Sequence, residues 1–228
     1  MDTALFTGFA AGYVLLLAWG IALGVRHGWL TPANLPLLVL GGLVYDNTVI
    51  AAGAAIGEGA LLEGLSAGRF WVHAFVTPLL VVWSWHAVRR AGQPWARTRI
   101  AAVVAVVITA ALIVFEIVTV LAGLTLEPGT EYGVLSYSDA DAAGPPIMVL
   151  FVAAALILAG FFVWRRQGWI WLLVGAVIMT VGSAVPIPLD SGAVTNAFEL
   201  ALLVSILATK ARQDRFEAKQ KRDAAAQA

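Results

Sequence analysis

The stretch AGRFWVHAFVTPLLVVWSWHAVRR, Ala67 to Arg90, decides how many times this chain crosses a membrane. It carries Arg69, His73 and the helix-breaking Thr77-Pro78, yet everything around them is apolar. Arg69, His73 and Thr77 fall at i, i+4 and i+8, so on a helix they share one face. Read as a span over about Gly68–Val88, the stretch brings the number of crossings to seven.

The other six runs are about Leu5–Val25, Leu35–Gly57, Ile100–Gly123, Ile147–Trp164, Ile170–Val185 and Ala193–Thr209. Each is near the ~20 residues that a ~30 Å hydrocarbon core requires. Composition agrees: 61% of the 228 residues are hydrophobic, 12% are charged, and the mean hydropathy is +0.87. A soluble domain is far more polar than this. The nine Trp and 22 Gly suit interfacial anchoring and close helix approach. Cysteine is absent, which removes both disulfides and thiolate metal sites. The first 25 residues have neither a basic n-region nor a small-residue cleavage site, so they are expected to stay as a span.

Charge placement predicts orientation. With the N-terminus outside, 13 of the 14 basic residues fall in inner loops and the tail, and only Arg69 remains outside. That is the positive-inside pattern. The outer loops take Glu58, Glu63, Glu127, Glu131, Asp139, Asp141 and Asp190. The expectation is an all-α bundle of seven transmembrane helices in the cell membrane, N-terminus out and C-terminus in. Residues 1–209 form the helical domain, and 210–228 form a basic cytoplasmic tail.

A faint repeat runs through this plan. Arg26-His27-Gly28-Trp29 after span 1 resembles Arg166-Gln167-Gly168-Trp169 after span 5. Gly68 with His73-Ala74-Phe75 resembles Gly192 with Asn196-Ala197-Phe198. Spans 1–3 and 5–7 would then be parallel triplets joined by span 4, a 3+1+3 arrangement. The outer loop from Leu124 to Pro146 reads as a solvated connector, with a lid over an outward pocket as the alternative, and has turns at Pro128-Gly129 and Gly144-Pro145-Pro146.

Few ionisable groups lie inside the apolar runs: Asp46, His73, Glu116 and Glu199, with Arg69 at a rim. An acid at a helix centre costs roughly 2.5–3.5 kcal/mol to insert, so such residues usually face the bundle interior. By topology all of them sit in the outer half or at mid-depth. Small and polar neighbours support inward positions: Gly42, Gly53 and Gly57 share a stripe with Asp46, and Thr109 and Thr119 share one with Glu116. Asn196 shares a face with Glu199. Pro78 withholds an N–H from the carbonyl of Ala74 beside His73, a local opening that suits a ligand or water. Tyr45 and Asn47 flank Asp46 and can orient it. The expected ligand- or proton-binding set is therefore Asp46, Arg69, His73, Glu116, Asn196 and Glu199. Tyr45, Asn47, Thr77 and Pro78 support it, and no metal-ligand set is expected.

Three carboxylates against one guanidinium and one imidazole leave excess negative charge, unless a carboxyl holds a proton or a cation enters. The leading expectation is a protein that binds and moves a small solute or cation with proton coupling. An intramembrane enzyme acting on a lipid or isoprenoid, with His73 and a carboxylate as general base or metal ligands, is the alternative. A membrane scaffold or assembly factor is the third. Expected partners are the lipid bilayer and a small-molecule or cation ligand. Nucleic acid is not among them, since topology already explains the basic residues.

Three known groups can be set aside on residues. The seven-span plan resembles that of microbial rhodopsins, which need a lysine in the middle of span 7. Here Lys210, Lys219 and Lys221 all lie at or beyond its inner end. Membrane zinc hydrolases of the ceramidase and adiponectin-receptor type need three histidines in the bundle, and only His73 is at a suitable depth. A bis-histidine haem fails because His73 and His86 lie on different faces at opposite depths. No Walker, Rossmann, nucleophile-elbow or HExxH pattern occurs.

Overall fold

Start and stop signals written in the sequence delimit the helices. A computed structural model describes residues 2–141, 146–184 and 191–227. Helix α1 (Asp2–His27) is followed by α2 (Pro36–Ile56), which has proline at its start and ends on Gly57 at φ +83°. Next come α3 (Ala60–Val76) and α4 (Leu79–Arg90), then α5 (Arg99–Thr119), whose N-cap Thr98 accepts the amide of Ala101 at 3.2 Å. Two strands, β1 (Leu126–Glu131) and β2 (Val134–Asp139), precede α6 (Ile147–Gln167), α7 (Trp171–Ala184) and α8 (Val194–Ala225). Gly168 closes α6 in the left-handed conformation, after Arg165 and Arg166 in its last turn.

Helices α3 and α4 form one rod. Thr77 and Pro78 keep helical angles (φ −62° and −61°), so the helical path continues through the proline, which has no N–H to give. Thr109 of α5 donates a hydrogen bond to the Pro78 carbonyl at 3.2 Å, which ties this junction to its neighbour. The result is seven rods. Among the described residues six are long and apolar enough to cross a membrane, and α7 is a shorter apolar helix of 14 residues. This is the build of a multi-pass integral membrane protein.

Six of the rods close a ring. Helix α1 packs on α2 and α8, α2 on α3, α4 on α6, α6 on α7, and α7 on α8. Helix α5 packs against the α3–α4 rod and lightly against α6, without entering the ring. The half of the ring nearer the basic termini is solid: Trp83, Leu40, Val163, Leu172, Ile206 and Leu207 are all buried there in one cluster. The other half is hollow.

The loop from Leu124 is not a plain connector. β1 and β2 pair antiparallel from Leu126↔Asp139 to Glu131↔Val134, and the turn falls on Tyr132 (φ 51°) and Gly133 (φ 82°). Positive φ at both turn residues matches the twist of a two-residue hairpin. Pro128 and Gly129, expected to mark a turn, instead lie within β1, where proline is tolerated because a two-stranded sheet leaves every strand an open edge. The hairpin is pinned to the helix ends. Val134 packs with Phe6 and Ile50, Tyr137 packs with Val49 and Leu62, and the Gly59 amide donates to the Tyr137 hydroxyl at 3.1 Å. Gly53 makes the close approach possible, since a side chain there would strike the carbonyl of Leu135. Gly144, Pro145, Val185 and Asp190, which the sequence reading placed in turns, a span end and an outer loop, lie outside the described residues.

Helix α8 continues past the expected span end at Thr209. It runs through position 210 without a break, and Lys210, Gln213 and Asp214 are buried. The cause is an ionic knot: Asp214 accepts Lys210 Nζ at 2.6 Å and Arg90 Nη2 at 2.7 Å, while Arg90 Nε also reaches Glu217 at 2.7 Å.

Candidate functional site

Close packing of α2 on α3 sets up the first polar pair. Gly68 lets Tyr45 lie directly against α3, where its hydroxyl donates to the Leu65 carbonyl at 2.7 Å. Gly42 does the same for Val72, since a Cβ there would come within 2.8 Å of its Cγ1. With the two helices this near, Arg69 Nε donates to Asp46 Oδ1 at 2.7 Å. Both side chains keep some open surface, 16% for Arg69 and 30% for Asp46, so the pair borders a space and is not sealed in the core.

That space is a cavity of about 540 Å³ inside the ring. One turn along α3 from Arg69, His73 lines it, and one turn further Thr77 does, with its hydroxyl 3.2 Å from His73 Nδ1. The i, i+4, i+8 face of the third rod thus forms one wall. Across the cavity, α8 contributes Asn196 and Glu199, and α7 contributes Thr180 and Ser183. Most of the remaining lining is apolar, including Phe6, Leu43, Phe70, Val152, Met179 and Leu203.

Two details distinguish the α8 wall. The Tyr13 hydroxyl lies 3.1 Å from the Asn196 carbonyl and 3.4 Å from Glu199 Oε2, and donates to this pair from behind. Glu199 has no cation within ion-pair distance among the described residues. Asn196 is buried, and among the described residues its Oδ1 has no hydrogen-bond partner.

Asp46, Arg69, His73, Asn196 and Glu199 therefore share one cavity, together with Thr77. Glu116 does not. It sits on α5, which gives no residue to the lining. Of the supporting residues, Tyr45 clamps α2 to α3 from outside the cavity. Asn47 is fully buried and donates to the Leu43 carbonyl at 3.0 Å, and Pro78 is buried between α3 and α4. Tyr13, Thr180 and Ser183 were not singled out from the sequence. Thr180 and Ser183 stand at i, i+3 in an otherwise apolar helix, a legible signal; a lone tyrosine such as Tyr13 reads equally well as interface or core. Among the described residues, no three of His, Asp and Glu gather as a metal-ligand set.

Chemically, the cavity holds an internally neutralised pair, one carboxylate without a cation, and an imidazole, all set in apolar walls. Such walls bury the body of an organic ligand, and a few convergent polar groups fix its orientation. Comparison with known families, with curated proteins and with solved structures found no match to this chain.

Proposed function

We propose that this is a cell-membrane carrier, N-terminus outside and C-terminus inside, that binds a small amphipathic solute in the ring cavity and exchanges it for a proton. An organic cation suits the cavity best. The observation that carries this reading is Glu199, a carboxylate with no cation of its own among the described residues, in a largely apolar cavity of about 540 Å³. Burying an unbalanced charge in a low dielectric is costly, so the carboxylate takes either a proton or a cationic ligand. Competition between the two is proton coupling.

In this reading, Asp46 and Arg69 hold the rim, His73 relays the proton or contacts the solute, and the junction at Pro78 lets α3 move while α4 stays packed on α6. The six-rod ring, with α5 outside it, supports two triplets joined by a linking span. The gathering of basic residues at one end supports the stated orientation.

Proteoliposomes test the proposal. A permanent cation such as benzyltrimethylammonium should enter vesicles when an outward proton gradient is imposed. Glu199→Gln should reduce uptake to the level of protein-free vesicles. Equal uptake and an unchanged pH profile in that variant would overturn the proposal.

A further inference from the structure

A second concavity, of about 1480 Å³, opens at the opposite end of the bundle, between the last turns of α1, α4 and α6 and the middle of α8. Ten basic side chains line it against two acids, Asp214 and Glu217. Those two acids are already engaged by Arg90 and Lys210. The remaining cations have no carboxylate within 4.0 Å among the described residues, Arg26, Arg89, Arg97, Arg166, Arg212 and Arg215 among them.

Topology accounts for basic residues at this end, but not for how they are held. Arg212 donates to the Gln167 carbonyl at 3.0 Å and lies 5.0 Å above the Trp169 ring, itself fixed by a 3.0 Å bond from Nε1 to Thr209. Arg166 donates to Gln93 at 3.2 Å, and Arg89 lies 5.7 Å from the Trp85 ring centre. Each partner is neutral. The guanidinium groups are oriented while their charge stays uncompensated, which is how planar donors are readied for oxyanions. Below them, the knot of Asp214 with Lys210 and Arg90 gives a rigid floor.

From this we infer that the crevice is a binding site for a phosphate-bearing anion with more than one negative charge. The same chemistry is offered by the headgroups of anionic lipids at the membrane surface and by a soluble polyphosphate. The site is independent of the ring cavity, and its test does not depend on transport.

The full chain in neutral detergent is unfolded thermally and followed by tryptophan fluorescence. One arm adds phosphatidylglycerol against phosphatidylcholine, and the other adds tripolyphosphate against chloride at equal ionic strength. The midpoint should rise in at least one arm: the lipid arm alone identifies a headgroup, and the tripolyphosphate arm identifies a soluble ligand. Removing two of these charges as Arg166→Gln with Arg212→Gln should weaken the apparent affinity about thirtyfold. Arg97→Gln with Arg215→Gln, whose side chains make no hydrogen bond or ion pair with the chain among the described residues, should weaken it similarly while leaving the ligand-free midpoint in place. No rise above the control in either arm, or variants that respond like the parent chain, would overturn the inference.

Discussion

Replacing Asp214 with alanine should cost the fold about 3–5 kcal/mol, the range for breaking a buried ion pair by removing one partner. Lys210 is 1% exposed and Asp214 5%, so the ammonium would stay buried with no anion in reach. Arg90, 8% exposed, would keep only Glu217, which is itself half open to solvent. The sign of the double variant is equally informative. Lys210→Met with Asp214→Ala removes both charges, and should recover much of the loss, because the penalty lies in the unpaired charge and not in the missing attraction. Thermal or denaturant unfolding of the three proteins in one detergent checks both results. An Asp214→Ala protein as stable as the parent would show that the knot does not fasten α8 to α4.

The second large effect concerns the rim pair. Asp46→Asn should weaken cation binding in the ring cavity by about 1–2 kcal/mol, roughly five- to thirtyfold, the scale of one charge acting through a partly solvated medium. The reason is charge balance. Asp46 and Arg69 cancel, leaving Glu199 to attract a cation. Once Asp46 is neutral, the freed guanidinium of Arg69 opposes any cation that enters. Asp46→Asn with Arg69→Gln restores the original balance and should restore most of the affinity, although the 2.7 Å bridge between α2 and α3 is gone. If the pair served only to hold two helices together, the double variant would bind no better than the single one. Titration with benzyltrimethylammonium, read by tryptophan fluorescence, separates the two cases.

The seven rods were legible because burial in a bilayer demands long apolar runs, and nothing else in this chain resembles them. Legible too was the polar face of the third rod, since Arg69, His73 and Thr77 are spaced at the helical repeat. Asp46 and Glu199 could be nominated from cost alone: an acid inside a span needs a reason to be there. Cost does not say which neighbour an acid faces. Glu116 satisfied the same criteria, but its helix packs outside the ring, and helix order around a ring is set by side-chain fit between distant segments. Tyr13 escaped notice for the complementary reason, because an aromatic residue in an apolar helix carries no signal until its partner is known.

The hairpin and the knot were hidden for other physical reasons. Leu126–Asp139 contains Pro128, Gly129 and several acids, and its pairing depends on the surface offered by Gly53 and Leu62. Lys210 and Asp214 stand at i, i+4 in a charge-rich segment that reads as solvated. Arg90, 124 positions away in sequence from Asp214, is what turns them inward.

The most direct measurement counts protons released when a cation binds. In weakly buffered detergent solution, benzyltrimethylammonium should displace about one proton per bound cation where Glu199 is protonated at the outset. Glu199→Gln should release none. Binding without proton release at every pH, or the same release from the Glu199→Gln protein, would contradict proton exchange at this carboxylate.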